Sequence, residues 1–538
     1  MTTVGRETDT IATARAGGVG VDPAPADAHP RDGRRLTPIA VIVVAFALSR
    51  ALFWWAGVRF DTTPVTFGSE QVLAVRLLRD HLLTSVWHLD SQPPLFNLYS
   101  GVLLHLPHGA FRPVAWASFM AVGLVLVLAT YLLLLEVRVA PTLALVVALV
   151  LVVDPAPILY ENWMFYAYPS AALVTLGALL FARYLRTRSW GYGFSFFCCV
   201  SALALLNSTF QAVWVVAVVV LTALVMRGRV RQVLAVAAVP VLVFAVWLVK
   251  DYAMFGTVTT SSWVGMNLAN VTLKQAPPAQ IRSMVADHEL TPLALVGPWK
   301  AVAAYSPRYV RQPHTGVAAL DDRYGNARLA NFNNLVYVTV SSKLLGDDLR
   351  YISHHPVTYA DHVALGATIW LTPSDQYPFV YDNWEAIRPL VNPYDILVGW
   401  QVQQAPAATT AFRALDGQFP EAGQVSYSTV LVYAVGLIGA PLFLWFRRRK
   451  VDRATVGIMV LLWGTTTYAY VASSLLDVSE NNRFRFEIGT APLVLSVMVV
   501  LGSLEPLLSE RQKQRWWWRW LGLTPAPEPP GVTAPRTG

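Results

Sequence analysis

The chain has 538 residues, 55% apolar and 14% charged, with 19 tryptophans and a formal net charge of +8. So much apolar surface with so little charge excludes an ordinary soluble domain. The basic residues fall between apolar runs rather than in one patch, which excludes a nucleic-acid-binding surface, and the adjacent Cys198 and Cys199 make neither a disulfide framework nor a metal site.

Residues 1–36 are polar and rich in Ala, Gly, Asp and Pro, which predicts a disordered cytoplasmic N-terminus. The first apolar run comes too late and is too long to be the core of a cleavable signal. Ten apolar runs follow, near 38–58, 114–136, 141–156, 169–186, 191–207, 210–226, 231–250, 425–446, 455–475 and 487–504. Each reaches or approaches the roughly 20 residues needed to span a bilayer. The predicted fold class is therefore an all-α polytopic membrane protein. Arg34 and Arg35, the group Arg183, Arg186 and Arg188, the group Arg227, Arg229 and Arg231, and the cluster Arg447–Arg453 all fall on one side of such a ten-span chain. That side is the cytoplasmic one by the excess of Lys and Arg in short inner loops, while the opposite connections 157–168 and 207–211 carry neither.

Two connections on the outer side are long. The first, Arg59 to Pro113, contains Gln71–Leu83, whose leucines and valines beside Arg76, Arg79 and Asp80 predict an amphipathic interfacial helix. It also contains Leu95–Leu106, too short to span and expected to lie along the interface. The second, from Asp251 to about Val425, is too long for a bare loop and predicts an ordered outer region or membrane-lying cap. The expected organisation is a first membrane part (37–250) enclosing the outer loop 59–113, an outer region (251–424), a second membrane part (425–506) and a cytoplasmic tail (507–538). In that tail Trp516-Trp517-Trp518-Arg519-Trp520 reads as an interfacial anchor.

The unusual polar residues gather on the predicted outer face. Glu480-Asn481-Asn482-Arg483-Phe484-Arg485-Phe486-Glu487 stands out most, because it carries arginines where the charge rule predicts none. Arg483 and Arg485 present planar donor forks suited to phosphate. An extended segment would point both to one site, whereas a helix would separate them by roughly 200°. Lys250, beside Asp251, is a further candidate cation. Asp61, just past the first span, is the first candidate general base, and Glu70 the second. His88, Asp90 and Gln92 in His88-Leu89-Asp90-Ser91-Gln92-Pro93-Pro94-Leu95 offer donors and acceptors for hydroxyl groups. Tyr160, Glu161 and Tyr166 sit in a short outer connection and complete the candidate substrate-binding set. There is no HExxH pattern, no glycine-rich nucleotide loop and no DxD pair, so no metal, cofactor or nucleotide-sugar donor is expected.

In order and sidedness, Asp61, Gln92-Pro93-Pro94-Leu95, Tyr160-Glu161 and Arg483-Phe484-Arg485 resemble the GT-C glycosyltransferases, in particular the protein O-mannosyltransferase and aminoarabinose-transferase-like branch. The resemblance covers roughly residues 38–250 and 425–504. Two positions depart from it: Asp61-Thr62 stands where the family carries an acidic pair, and Gln92 stands where it carries a histidine. The resemblance implies inverting transfer of a sugar from a polyprenyl-phosphate donor to a hydroxyl of a glycan, lipid or protein acceptor, at the outer face of the cytoplasmic membrane. In it Asp61 would deprotonate the acceptor, and Arg483 and Arg485 would stabilise the leaving phosphate. The alternatives are a transporter or flippase of a lipid-linked sugar, which would bind its substrate near the bilayer midplane, and a non-catalytic envelope-assembly scaffold.

Overall fold

The computed structural model describes residues 33–504 except 108, 309, 312–313, 401–424 and 448–450. The expectations for most of the N-terminus and for the tryptophan-rich tail lie outside the described residues. Within them the chain is an all-α polytopic membrane protein, and its only β pairings are the isolated bridges Asp61–Trp163 and Tyr324–Ala330.

Each of the ten predicted runs is helical. The elements are α1 (Gly33–Trp55), α2 (Pro94–Leu104, in the first outer loop), α3 (Phe111–Glu136), α4 (Pro141–Val153), α5 (Pro155–Glu161), α6 (Ala167–Thr187), α7 (Trp190–Leu206), α8 (Ala212–Val225) and α9 (Val230–Phe255). The segment 256–426, expected on the outer side, contains α10 (Val264–Val271) and α11 (Val336–His354), and α12 (Tyr427–Arg447), α13 (Arg453–Leu476), α14 (Asn481–Glu487) and α15 (Ala491–Leu504) follow it. Six of these are long and apolar enough to cross a membrane alone, namely α1, α3, α6, α9, α12 and α13. Two bent pairs pass together, α4 with α5 (55°) and α14 with α15 (69°). The remaining two, α7 and α8, have 17 and 14 residues, which gives lengths of about 25 and 21 Å at 1.5 Å per residue.

The two bends have identifiable causes. Between α4 and α5, Asp154 is extended and caps the second helix by accepting from the Ala156 N–H at 3.0 Å, and Pro155 opens that helix where a missing N–H costs nothing. Between α14 and α15, Gly489 takes φ +57°, and a Cβ there would lie 2.4 Å from the Ala171 carbonyl and 2.6 Å from Thr175 Oγ1. Gly489→Ala is therefore expected to lower the thermal unfolding midpoint, since the left-handed backbone alone costs about 1–2 kcal/mol and the contact with α6 adds to it. An unchanged midpoint for purified protein would reject this account.

The first outer loop departs from expectation. Instead of one amphipathic helix over 71–83 there are two short ones, Val75–Asp80 and Leu82–Trp87, broken at His81. Residues 71–74 are not helical: the Asn97 side chain accepts from the Leu73 N–H and donates to the Gln71 carbonyl, holding this turn beside α2. Asparagines also tie the outer region to this loop. Asn333 Oδ1 accepts from the N–H groups of Asp90 and Ser91, at 2.9 and 3.1 Å, and Asn326 Oδ1 accepts from Val75 N–H at 2.9 Å. The segment 256–426 has an apolar core of its own, built around Trp263, Tyr305, Phe332, Tyr337 and Tyr351. Within it α10 lies close against α11, because Gly265 has no Cβ to strike the Ser341 carbonyl, which would be only 1.9 Å away.

Candidate functional site

The segment 481–487 is helical, so the two arginines point apart, and each reaches a different cavity. Arg483 lines a polar cavity of about 300 Å³, together with Glu70, Gln92, Tyr166, Lys274 and Glu480. Arg485 lines a second cavity, of about 400 Å³, whose walls are largely apolar (Val146, Val150, Leu151, Val432, Leu493) and whose polar end holds Asp154, Asp375, Tyr394 and Thr429. Their neighbours in sequence follow: Phe484 faces the first cavity and Phe486 the second.

Arg483 is 2% exposed and its charge is already balanced. Its guanidinium forms ion pairs with Glu480 and Glu487 and donates to Tyr166 Oη at 3.1 Å. Both carboxylates are held in turn, Glu480 by the Tyr377 hydroxyl and Glu487 by the Asn207 amide, each at 2.7 Å. A phosphate oxygen reaching Arg483 would have to compete with Glu480. Arg485 donates to Thr429 Oγ1 (2.8 Å), the Thr372 carbonyl (2.8 Å) and Ser374 Oγ (2.9 Å), with Asp154 and Asp375 among the lining of its cavity. Three carboxylates, Asp154, Asp375 and Asp395, share that cavity with this one arginine, so its charge does not favour an anion.

Of the other candidates, Glu70, Gln92 and Tyr166 come together with Arg483 in the polar cavity. Glu70 is an exposed residue that lines the cavity; partial loss of hydration among the protein atoms around it, reinforced by the charges of Glu480 and Asp477, pushes its carboxyl up to about 7. Lys274 acts in the opposite direction on it and, among the described residues, has no ion-pair partner.

The rest lie elsewhere. Asp61 lines neither cavity: its carboxylate accepts from the N–H and Oγ1 of Thr63, both at 2.8 Å, and its backbone pairs with Asn162 and Met164. His88 bonds its own helix at the Thr84 carbonyl. Asp90 is buried, accepting from Ser262 Oγ at 2.7 Å, and loss of hydration pushes it up to about 7. Lys250 is buried between Asp251, the Leu89 carbonyl (2.9 Å) and the Trp247 ring (3.9 Å). Tyr160 stacks on Phe486 with ring centres 4.0 Å apart. Glu161 is fully engaged: Arg50 grips it with two bonds of 2.9 and 2.8 Å, and the Tyr168 hydroxyl adds a third at 2.7 Å.

Sequence reading missed the wall supplied by residues 261–299. Trp263, Asn267, Asn270 and Lys274 all line the polar cavity, as do Gln71 and Trp299. Of the first four, Asn267 and Asn270 lie three apart on one face of α10, while Trp263 is its N-cap and Lys274 stands in the turn beyond its end.

No family model matches the chain, and no curated protein matches it. Three solved structures of the oligosaccharyltransferase of Archaeoglobus fulgidus are similar to it over most of its length. The apo form has a TM-score of 0.38 at 12% identity, covering 89% of this chain and 51% of that one. The complex with an inhibitory peptide and a dolichol-phosphate has 0.39 at 12%, covering 91% and 54%. The form tethered to an acceptor peptide has 0.39 at 11%, covering 92% and 53%. The chain thus spans about half the length of the structures it matches.

Proposed function

We propose that the chain is a membrane glycosyltransferase of the GT-C kind, moving a sugar from a polyprenyl-phosphate donor to an acceptor hydroxyl at the outer face of the cytoplasmic membrane. The observation that carries this reading is the meeting of Glu70, Lys274 and Arg483 in one polar cavity at the end of the helical bundle. A carboxylate poised near neutrality can take a proton, and Lys274, the cation of this cavity not tied into an ion pair among the described residues, can receive a departing phosphate.

In this mechanism Glu70 accepts the proton of the acceptor hydroxyl. The oxygen attacks the anomeric carbon from the face opposite the phosphate, with inversion. The bond from the anomeric carbon to the phosphate oxygen breaks, and the polyprenyl phosphate leaves with the electron pair. Lys274, with no ion-pair partner of its own, takes the larger share of the new negative charge. Arg483, held by Glu480 and Glu487, fixes the geometry of that wall and donates where Glu480 yields. Glu70 has the base role rather than Asp61, whose carboxylate is taken up by Thr63.

The test is transfer by the purified protein in lipid nanodiscs, supplied with polyprenyl-phosphate mannose, glucose or arabinose, with release of polyprenyl phosphate as the readout. Lys274→Met is expected to raise the donor KM about tenfold or more, the scale of losing one charge-assisted contact of roughly 1.5–3 kcal/mol, with Lys274→Arg retaining most of the affinity. Release of polyprenyl phosphate from none of these donors would overturn the reading. An unchanged donor KM in Lys274→Met would remove Lys274 from it.

A further inference from the structure

Resting on that reading, we infer that the acceptor is a saccharide, held in the polar cavity whose wall includes Gln92, Asn267 and Trp299. Gln92 is 6% exposed and lines the cavity, and its Oε1 is buried without a hydrogen-bond partner. An orphaned acceptor of this kind costs free energy until a ligand supplies a donor. A hydroxyl supplies one, whereas an ionised phosphate carries only acceptors. Asn267, half-buried on the cavity face of α10, adds an amide that can both give and receive.

Trp299 supplies the apolar component. It is half-buried at the cavity wall, in a left-handed backbone conformation (φ +62°) that a tryptophan rarely adopts. The surroundings hold it there. Its Nε1–H donates to Asn270 Oδ1 at 3.1 Å, and its ring meets Trp263 and Phe332 at 85° and 68°, with centres 4.9 and 5.5 Å apart. Strain maintained by packing at the wall of a cavity marks a side chain kept in place for what it presents. An indole offers a rigid apolar surface with a negative face, against which the C–H groups of a sugar ring pack. One aromatic surface, neutral amides and an unpaired carbonyl oxygen together suit a polyhydroxylated ring.

The full-length protein in detergent should show saturable tryptophan-fluorescence change and saturation-transfer NMR signals with short mannose, glucose or arabinose oligosaccharides, in the absence of donor. Trp299→Ala and Gln92→Leu should each weaken that binding by about tenfold, the scale of one lost buried contact, with Trp299→Phe intermediate and donor binding retained in all three. Absence of saturable saccharide binding, binding indifferent to all three substitutions, or preferential binding of a Ser/Thr peptide would overturn the inference. So would displacement of the oligosaccharide by saturating donor, which would assign the subsite to the donor's own sugar. Because no turnover is needed, a protein that binds saccharides but never releases polyprenyl phosphate would defeat the transferase reading while leaving the saccharide subsite standing. A transferase with a non-saccharide acceptor would do the reverse.

Discussion

Glu70→Gln is expected to lower transfer by about 10²–10⁴-fold, the usual contribution of a positioned general base, while leaving donor binding in place. The amide keeps the size and hydrogen-bonding shape of the carboxyl but cannot take a proton. The pH profile provides the sharper check. With its carboxyl raised to about 7, Glu70 is protonated and idle on the acid side, so kcat should climb tenfold per pH unit up to neutrality and then level. Linkage gives the matching sign for stability. Between the ordinary carboxyl value and 7 the folded protein holds a proton that the unfolded chain has released. The stabilisation from this group is therefore fully present at low pH and is lost as pH rises through 7. Glu70→Gln removes that dependence. A variant with near-normal turnover, or one that keeps the acid limb, would take the base role away from Glu70, and Asp61→Asn would then be the variant to measure.

The largest expected effect on stability lies inside the bundle, at Arg50 and Glu161. Arg50 is a nearly buried cation on α1, and Glu161 closes α5. They form a two-pronged ion pair that also draws in the Val152 carbonyl (2.7 Å from Arg50) and the Tyr168 hydroxyl. Gly123 of α3 makes the room: a Cβ there would stand 2.1 Å from Glu161 Oε2. Removing one partner leaves an unpaired charge in a low-dielectric interior, so Glu161→Ala or Arg50→Ala should each cost about 3–5 kcal/mol. Replacing both at once, as in Arg50→Met with Glu161→Leu, should recover much of that loss, since well-packed apolar pairs often match a buried ion pair. Thermal unfolding of the three variants decides the matter. Single variants that melt like the parent would show that water or lipid headgroups reach the pair.

Much of this architecture could be read from the order of residues alone. Apolar runs of span length report the solvent that surrounds them, so the unusual charge at 480–487 and the helical character of all ten predicted runs were legible, with six long enough to cross a membrane alone and two more passing as bent pairs. Local capping chemistry also shows in the sequence: Asp154-Pro155 carries the signal for the bend it makes. The conformation of 481–487 was a matter of two alternatives with opposite consequences. Its helical form sends Arg483 and Arg485 into separate cavities, so a motif that looks like one clamp in the sequence is two half-sites in space. The reason is geometric, because a period of 3.6 residues cannot put positions two apart on one face.

Partnership depends on the folded arrangement. Whether a carboxylate is a free base or half of an ion pair depends on groups far away in sequence. Glu161 is claimed by Arg50, 111 residues earlier, while Asp61 is claimed by its own neighbour Thr63. Glu70, the second candidate base of the sequence, owes its raised carboxyl to crowding by the protein atoms around it and to Glu480, more than 400 residues further along the chain. Hydration and pairing set the chemistry of a titratable group, and both are properties of the folded neighbourhood rather than of the residue. Residue order alone marks which segments form apolar helices and where polar groups concentrate. Which of those groups remain available to a ligand was settled by packing.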